Sequence, residues 1–295
     1  MIKLNHFLLL VLMATLGCQS AENAPSASEG VGEDSATVIA QEEDHARTQR
    51  RLQMERSIEQ WWAHRSRQEY STADGIGAAL ERYVLENFDA VLSDLRNSGP
   101  RFRRVAAASL GFSKDARAVE PLMKSLSDNN DGVLVASLLS LGHLALDDTS
   151  IPTAPLIPFL SHRHADVRVN ASRVLVHTAS KGDGVLFLPL TTALEDPIPA
   201  VRLHSAAALG ALGDPDAVGF LLKLLKDEKA LVRIRAAYAL GRIDDRRAVA
   251  RLIDSLDDPD EDVSKAVYKA LRSLTSQDLP RVKIDWSTYW ASQSR

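Results

Sequence analysis

Apolar positions in the middle of the chain recur in a phrase of about ten residues. VRLHSAAALG begins at Val201, VRIRAAYALG at Val232 and VSKAVYKALR at Val263. Related phrases begin at Phe102, Val133 and Val167, so successive starts lie 31, 34, 34, 31 and 31 residues apart. Near-constant spacing of this kind marks a repeat architecture. In the phrase from Val201, the residues Val201, Ala206, Leu209 and Leu212 share one helical face. A polar turn follows (GDPDAV, 213–218), then a second apolar run (FLLKLLKD, 220–227). Its counterparts are VEPLMKSLSD at 119–128 and VARLIDSLDD at 249–258. No segment alternates with period two over a strand's length, so each copy is predicted to be two helices.

The expected fold is therefore all-α, an α-solenoid of about six helix-pair repeats of 31–34 residues over 102–277. Such pairs bury their apolar faces only against neighbours. Gly111, Gly142, Gly210 and Gly241 stand at the tenth position of their phrases. There they are expected to close the first helix as left-handed caps. An Asp lies six residues before a recurring Arg, as in Asp196 with Arg202 and Asp227 with Arg233. This predicts a ladder that caps helices and pairs charges between repeats.

Flanking segments complete the organisation. Residues 46–101 are expected to form a helical N-terminal cap and a degenerate repeat, the latter around 79–95. A helix over 46–70 carries a narrow stripe at Met54, Ile58, Trp61 and Trp62, suited either to capping the stack or to docking elsewhere. Residues 278–295 hold Trp286 and Trp290 at i,i+4 spacing, expected to fold onto the last pair.

Charge changes the picture at the N-terminal end. Between Gln19 and Asp44 there are seven acidic residues and no Lys or Arg. Such a block buries too little apolar surface to order itself, so 18–45 reads as a linker. Net charge over the whole chain is −4. That speaks against nucleic acid as a partner, which calls for a basic excess.

The single cysteine, Cys18, excludes an internal disulfide framework and a Cys-based zinc cage. It follows MIKLNHFLLLVLMATLG. The largely apolar run Phe7–Leu16 is shorter than the roughly 20 residues a bilayer span needs and suits a secretory leader. Thr15, Leu16, Gly17 and Cys18 resemble the end of a bacterial lipoprotein signal peptide. The resemblance implies a signal peptide over 1–17, lipidation at Cys18 and a membrane anchor in the bacterial cell envelope. Gln19 in place of Asp leans toward the outer membrane where the organism has one. An ordinary cleaved signal with an incidental cysteine is the other reading.

The repeats themselves resemble HEAT-like repeats of the phycobilin-lyase-associated kind. The resemblance rests on Val167/Arg168, Val201/Arg202 and Val232/Arg233, on the Ala-Leu-Gly closings and on the Asp-Pro turns. It implies a protein-binding scaffold more readily than an enzyme. The family's iron hydroxylase uses His-Glu pairs, and this chain has no His-Glu dipeptide. The glycosylases use a basic groove. Here the exposed position of successive second helices reads Lys124, Pro158, Thr192, Lys223 and Asp254.

No catalytic motif is found, and no cofactor or metal is assigned. His162, His164 and Asp166 share one turn, which reads as a solvated loop. DPDEDV at 258–263 has Val263 where a calcium loop needs Gly and Lys269 where it needs Glu. The leading expectation is a membrane-anchored scaffold with a protein partner. The candidate contact residues are Glu120, Lys124, Phe220, Lys223, Arg251 and Asp254. An envelope enzyme or accessory factor, and a binder of surface polysaccharide, are the alternatives.

Overall fold

A computed structural model describes residues 35–147 and 149–293. Every regular element among them is helical. The chain divides into two compact units, with the boundary after Leu144.

The first unit contains α1 (Ser35–Ser66), α2 (Tyr70–Glu86), α3 (Phe88–Asn97), α4 (Pro100–Leu110), α5 (Val119–Ser125) and α6 (Asp131–Leu146). α1 begins at Ser35, so residues 35–45 are helical where a linker was expected, and it ends at Ser66 rather than near 70. Met54 and Ile58 of its stripe are buried. Trp61 meets Phe112 edge-on at 5.1 Å and His143 at 5.9 Å. Ion pairs fasten the same helix. Arg51 Nε donates to Asp94 at 2.9 Å, and Arg101 Nη2 donates to the buried Glu55 at 2.7 Å. The stripe thus meets the unit's own core.

The second unit starts with a 3₁₀ segment at Ala154–Ser161. It continues through α7 (Ala165–Thr178), α8 (Phe187–Ala193), α9 (Pro199–Leu212), α10 (Val218–Leu224), α11 (Ala230–Ile243), α12 (Val249–Asp254), α13 (Glu261–Thr275) and α14 (Lys283–Gln293). The first helices α7, α9, α11 and α13 pack in sequence, each on the next. The second helices α8, α10 and α12 lie on α9, α11 and α13 respectively. Val201, Ala206, Leu209 and Leu212 are all buried, as their shared face requires. The repeat from Val133 departs from the helix-pair pattern: its second element is the 3₁₀ segment. Pro158 sits inside it, and proline has no N–H to give an α-helical ladder.

The tenth-position glycines correct the expectation of left-handed caps. Gly210 lies within α9, Gly241 within α11 and Gly142 within α6. Gly111 has φ −64°. Their role is close approach. A β-carbon on Gly210 would stand 2.8 Å from Ala239 Cα, and one on Gly241 3.1 Å from Ala270 Cα. The left-handed residues come later, at Gly213 (φ 67°), Asp244 (59°) and Ser276 (56°).

Trp286 is fully buried in α14, against Tyr268 at 6.1 Å, and its Nε1 donates to the Pro280 carbonyl at 2.9 Å. Arg246 lies over the Trp290 ring at 5.3 Å. Among the described residues no helix is long and apolar enough to cross a membrane. Cys18, the expected signal peptide over 1–17 and most of the expected linker lie outside the described residues.

Candidate functional site

Three turns of the second unit are each built around a charged clamp. Arg202 on α9 grips Asp227 at two points, Nε to Oδ2 at 2.7 Å and Nη2 to Oδ1 at 2.9 Å. Its remaining arm, Nη1, donates to the Asp196 carbonyl at 2.9 Å. Arg233 repeats the arrangement with Asp258 (2.8 Å at both points) and with the Asp227 carbonyl (2.8 Å). Arg168 does so with Asp196, its Nε at 2.6 Å from Oδ2.

The ladder is real, but its pairing differs from expectation. The Asp six residues before Arg202 and before Arg233 offers that arginine only its carbonyl, and His162 takes this place before Arg168. The ion pair goes to an Asp 25 residues ahead, or 28 ahead for Arg168, whose copy is three residues longer. The same carboxylates cap the next turn, as Asp227 accepts from Lys229 N at 2.9 Å. Burial pushes the Asp227 carboxyl up. The Arg202 and Lys229 hydrogen bonds, with the charges of Arg202 and Arg233, outweigh it and hold the group below the usual carboxylate range.

Separate aspartates start the second helices. Asp214 accepts from Asp216 N at 2.9 Å to start a 3₁₀ turn that runs into α10, and Asp245 does the same before α12. α10 and α12 each bury a narrow stripe, such as Leu221 and Leu224, leaving the other face to solvent. All six candidate contact residues are exposed. Glu120 and Lys124 belong to the first unit and pair with one another at 2.7 Å. In the second unit, Lys223 lies over the Phe220 ring at 5.8 Å. Arg251 reaches Asp254 at 3.6 Å, and Asp254 also meets Lys283 at 3.8 Å. The structure thus gathers them in local pairs.

Phe220 was among the residues expected on this face, whereas Leu188 was missed from sequence. Leu188 on α8 is 72% exposed and Phe220 on α10 is 38% exposed. Phe187 links the two helices, its ring edge-on to Phe220 at 6.2 Å. The signal was present: Leu188 is four residues before Thr192, the position already recognised as outward-facing, and i,i+4 residues share a helical face.

A second feature lies in the first unit. A cleft of about 310 Å³ opens between α1 and α2, lined by Arg50, Met54, Gln60, Leu80, Arg82 and Tyr83 among others. Its α1 residues lie within the helix expected over 46–70, and its other wall is α2.

At the His162–Asp166 turn, His162 Nδ1 accepts from His164 N at 3.2 Å, and the His162 carbonyl accepts from Arg168. The turn anchors a clamp. Among the described residues no group of three His, Cys, Asp or Glu side chains is placed to hold a metal ion. In DPDEDV, Asp258 takes Arg233, while Asp260 caps α13 through Asp262 N at 3.0 Å and Val263 N at 3.2 Å.

Comparison with known proteins agrees with this geometry. The model for HEAT repeats matches residues 153–230 and 218–283, and that for the PBS lyase HEAT-like repeat matches 102–128. The chain is a HEAT-like repeat protein. It is similar to the archaeal HEAT-like repeats protein from Thermococcus onnurineus NA1 at 14% identity and TM-score 0.51, over 68% of this chain and 93% of that one. It is also similar to a designed armadillo repeat protein in complex with the peptide (KR)4, at 17% identity and TM-score 0.51, over 63% and 98% of the two chains. An engineered protein matches at 20% identity and TM-score 0.52, over 75% and 69%. These likenesses speak to the fold. A search of curated proteins finds no match.

Proposed function

We propose that this HEAT-like repeat protein is a scaffold that binds another protein through its second helices. The observation that carries the reading is the exposure of Leu188 and Phe220 on adjacent second helices, beside Lys223. Large apolar side chains held open by a rigid framework suit an interface core. The flanking Lys223, Arg251 and Asp254 supply a charged rim, which selects and orients a partner more than it tightens binding.

We also propose that the chain is tethered to the bacterial cell envelope by a lipid at Cys18, with the outer membrane favoured where present. The support is the apolar run Phe7–Leu16 followed directly by Gly17 and Cys18. Two or more acyl chains give stable anchoring, at roughly 0.8 kcal/mol per buried methylene.

The test is gentle solubilisation of membranes from cells carrying a tagged chain, beside a Leu188→Asp, Phe220→Asp variant and a Cys18→Ala variant. A stoichiometric protein partner, absent from the double variant, is the expected result. Cys18→Ala is expected to leave the membrane fraction. A partner retained at full yield by the double variant would place the interface elsewhere.

A further inference from the structure

The fourth position of the first-helix phrase is small or apolar in three copies: Val105, Ala136 and Ala266, all buried. In the three consecutive copies on α7, α9 and α11 it is Asn170, His204 and Arg235. Arg173 lies one turn beyond Asn170 on α7. The buried side-chain polar atoms without a hydrogen-bond partner, among the described residues, are His164 Nδ1 and four atoms on these helices: Asn170 Oδ1, Arg173 Nη2, Ser205 Oγ and Arg235 Nε.

No carboxylate answers this charge. Whereas Arg168, Arg202 and Arg233 each grip an aspartate, Arg173 and Arg235 hold none. The charged groups acting on His204 are Arg173, Arg235 and His177, all of them bases. Burial pulls Arg173 down to about 10 and, with the Arg173 charge, His204 down to about 3. His204 is held neutral, with Nδ1 3.3 Å from Ser172 Oγ. His177 is exposed and Arg235 partly so, which opens one side of the row to solvent. Enclosed guanidinium N–H groups without acceptors are costly unless something supplies the acceptors. A planar guanidinium fork matches the two oxygens of a carboxylate or phosphate group.

We propose that Arg173, His204 and Arg235 form a site for an oxyanion, a carboxylate or phosphate group, held by the two guanidinium groups across α7, α9 and α11. This site is on the first helices and is independent of the partner surface on the second.

Thermal unfolding of the purified full chain tests it, with inorganic phosphate or succinate titrated against chloride at matched ionic strength. A ligand at about ten times its Kd shifts the folding equilibrium about elevenfold, so a saturable rise in Tm is expected. Arg173→Met and Arg235→Met each remove an unanswered cation. Both are expected to melt no lower than the parent without anion, and to lose the anion-dependent rise. Saturation by phosphate alone assigns a phosphoryl group, by succinate alone a carboxylate, and by both the shared oxyanion chemistry. A rise no greater than that from chloride for both probes, or one that survives in both variants, would overturn the proposal.

Discussion

Arg202 and Asp227 are joined at two points, 2.7 and 2.9 Å, across the 25 residues that separate a first helix from the following turn. Their side chains are only 12% and 8% exposed. Because Arg233 takes the Asp227 carbonyl at 2.8 Å, one residue ties two neighbouring repeats. Removing one member of a nearly buried pair leaves an uncompensated charge. Arg202→Ala is therefore expected to cost about 3 kcal/mol. Arg202→Lys keeps the charge but loses the fork, and is expected to recover less than half of that. Urea unfolding measures both; equal stability of the two variants would show that the fork geometry is immaterial.

Two glycines on neighbouring helices should respond to alanine with opposite signs. At Gly210 a β-carbon would meet Ala239 Cα at 2.8 Å, so Gly210→Ala is expected to destabilise by about 1–3 kcal/mol through overpacking. At Gly219, inside α10, nothing lies within 4 Å, and Gly219→Ala is expected to stabilise by about 0.5–1 kcal/mol. Differential scanning calorimetry of the pair reads both signs in one experiment.

These glycines also mark how far the sequence could be read. The 31-residue period was visible because Val201, Ala206 and Leu209 must all face inward in every copy, and repetition multiplies that signal. The tenth-position glycine looked like a cap because it is near a helix end. Its actual partner, Ala239, is in the next repeat, and spacing within one phrase says nothing about a contact between two. The Arg202–Asp227 pairing was misassigned for the same reason: the nearer Asp196 is close in sequence, but only its carbonyl is presented. The row Asn170–His204–Arg235 was overlooked because each residue alone is an unremarkable polar substitution. It becomes a site only when three helices are stacked.

Acid should destabilise the fold in two windows. His204 titrates at an ordinary value of 6.5 when unfolded and near 3 when folded, so between these values the unfolded chain binds more protons. Stability then falls as pH falls, with a slope approaching about 1.4 kcal/mol per pH unit. The clamp carboxylates of Asp227 and Asp258 are held below 3.8, and their contribution is lost only below that value. Urea midpoints from pH 7 to 4 are expected to decline in the parent and to flatten in His204→Gln. A decline of the same steepness in the variant would remove His204 as the cause.

Trp286 closes the last repeat by burying its whole ring beside Tyr268. Trp286→Ala is expected to cost about 3–5 kcal/mol. Stability in a repeat array is a sum of neighbour interfaces, so the loss should be local. Hydrogen exchange is expected to quicken in α13 and to stay unchanged in α7.

The partner-binding role of the second helices is tested most directly by site-specific photo-crosslinking in living cells. A photoreactive residue is placed at Leu188 or at Phe220, and at the exposed Lys269 on the first-helix side. The predicted result is one discrete protein adduct from Leu188 and Phe220, erased by Lys223→Glu, and none from Lys269. Adducts from Lys269 alone, or none from either second-helix position, would contradict a partner surface on the second helices.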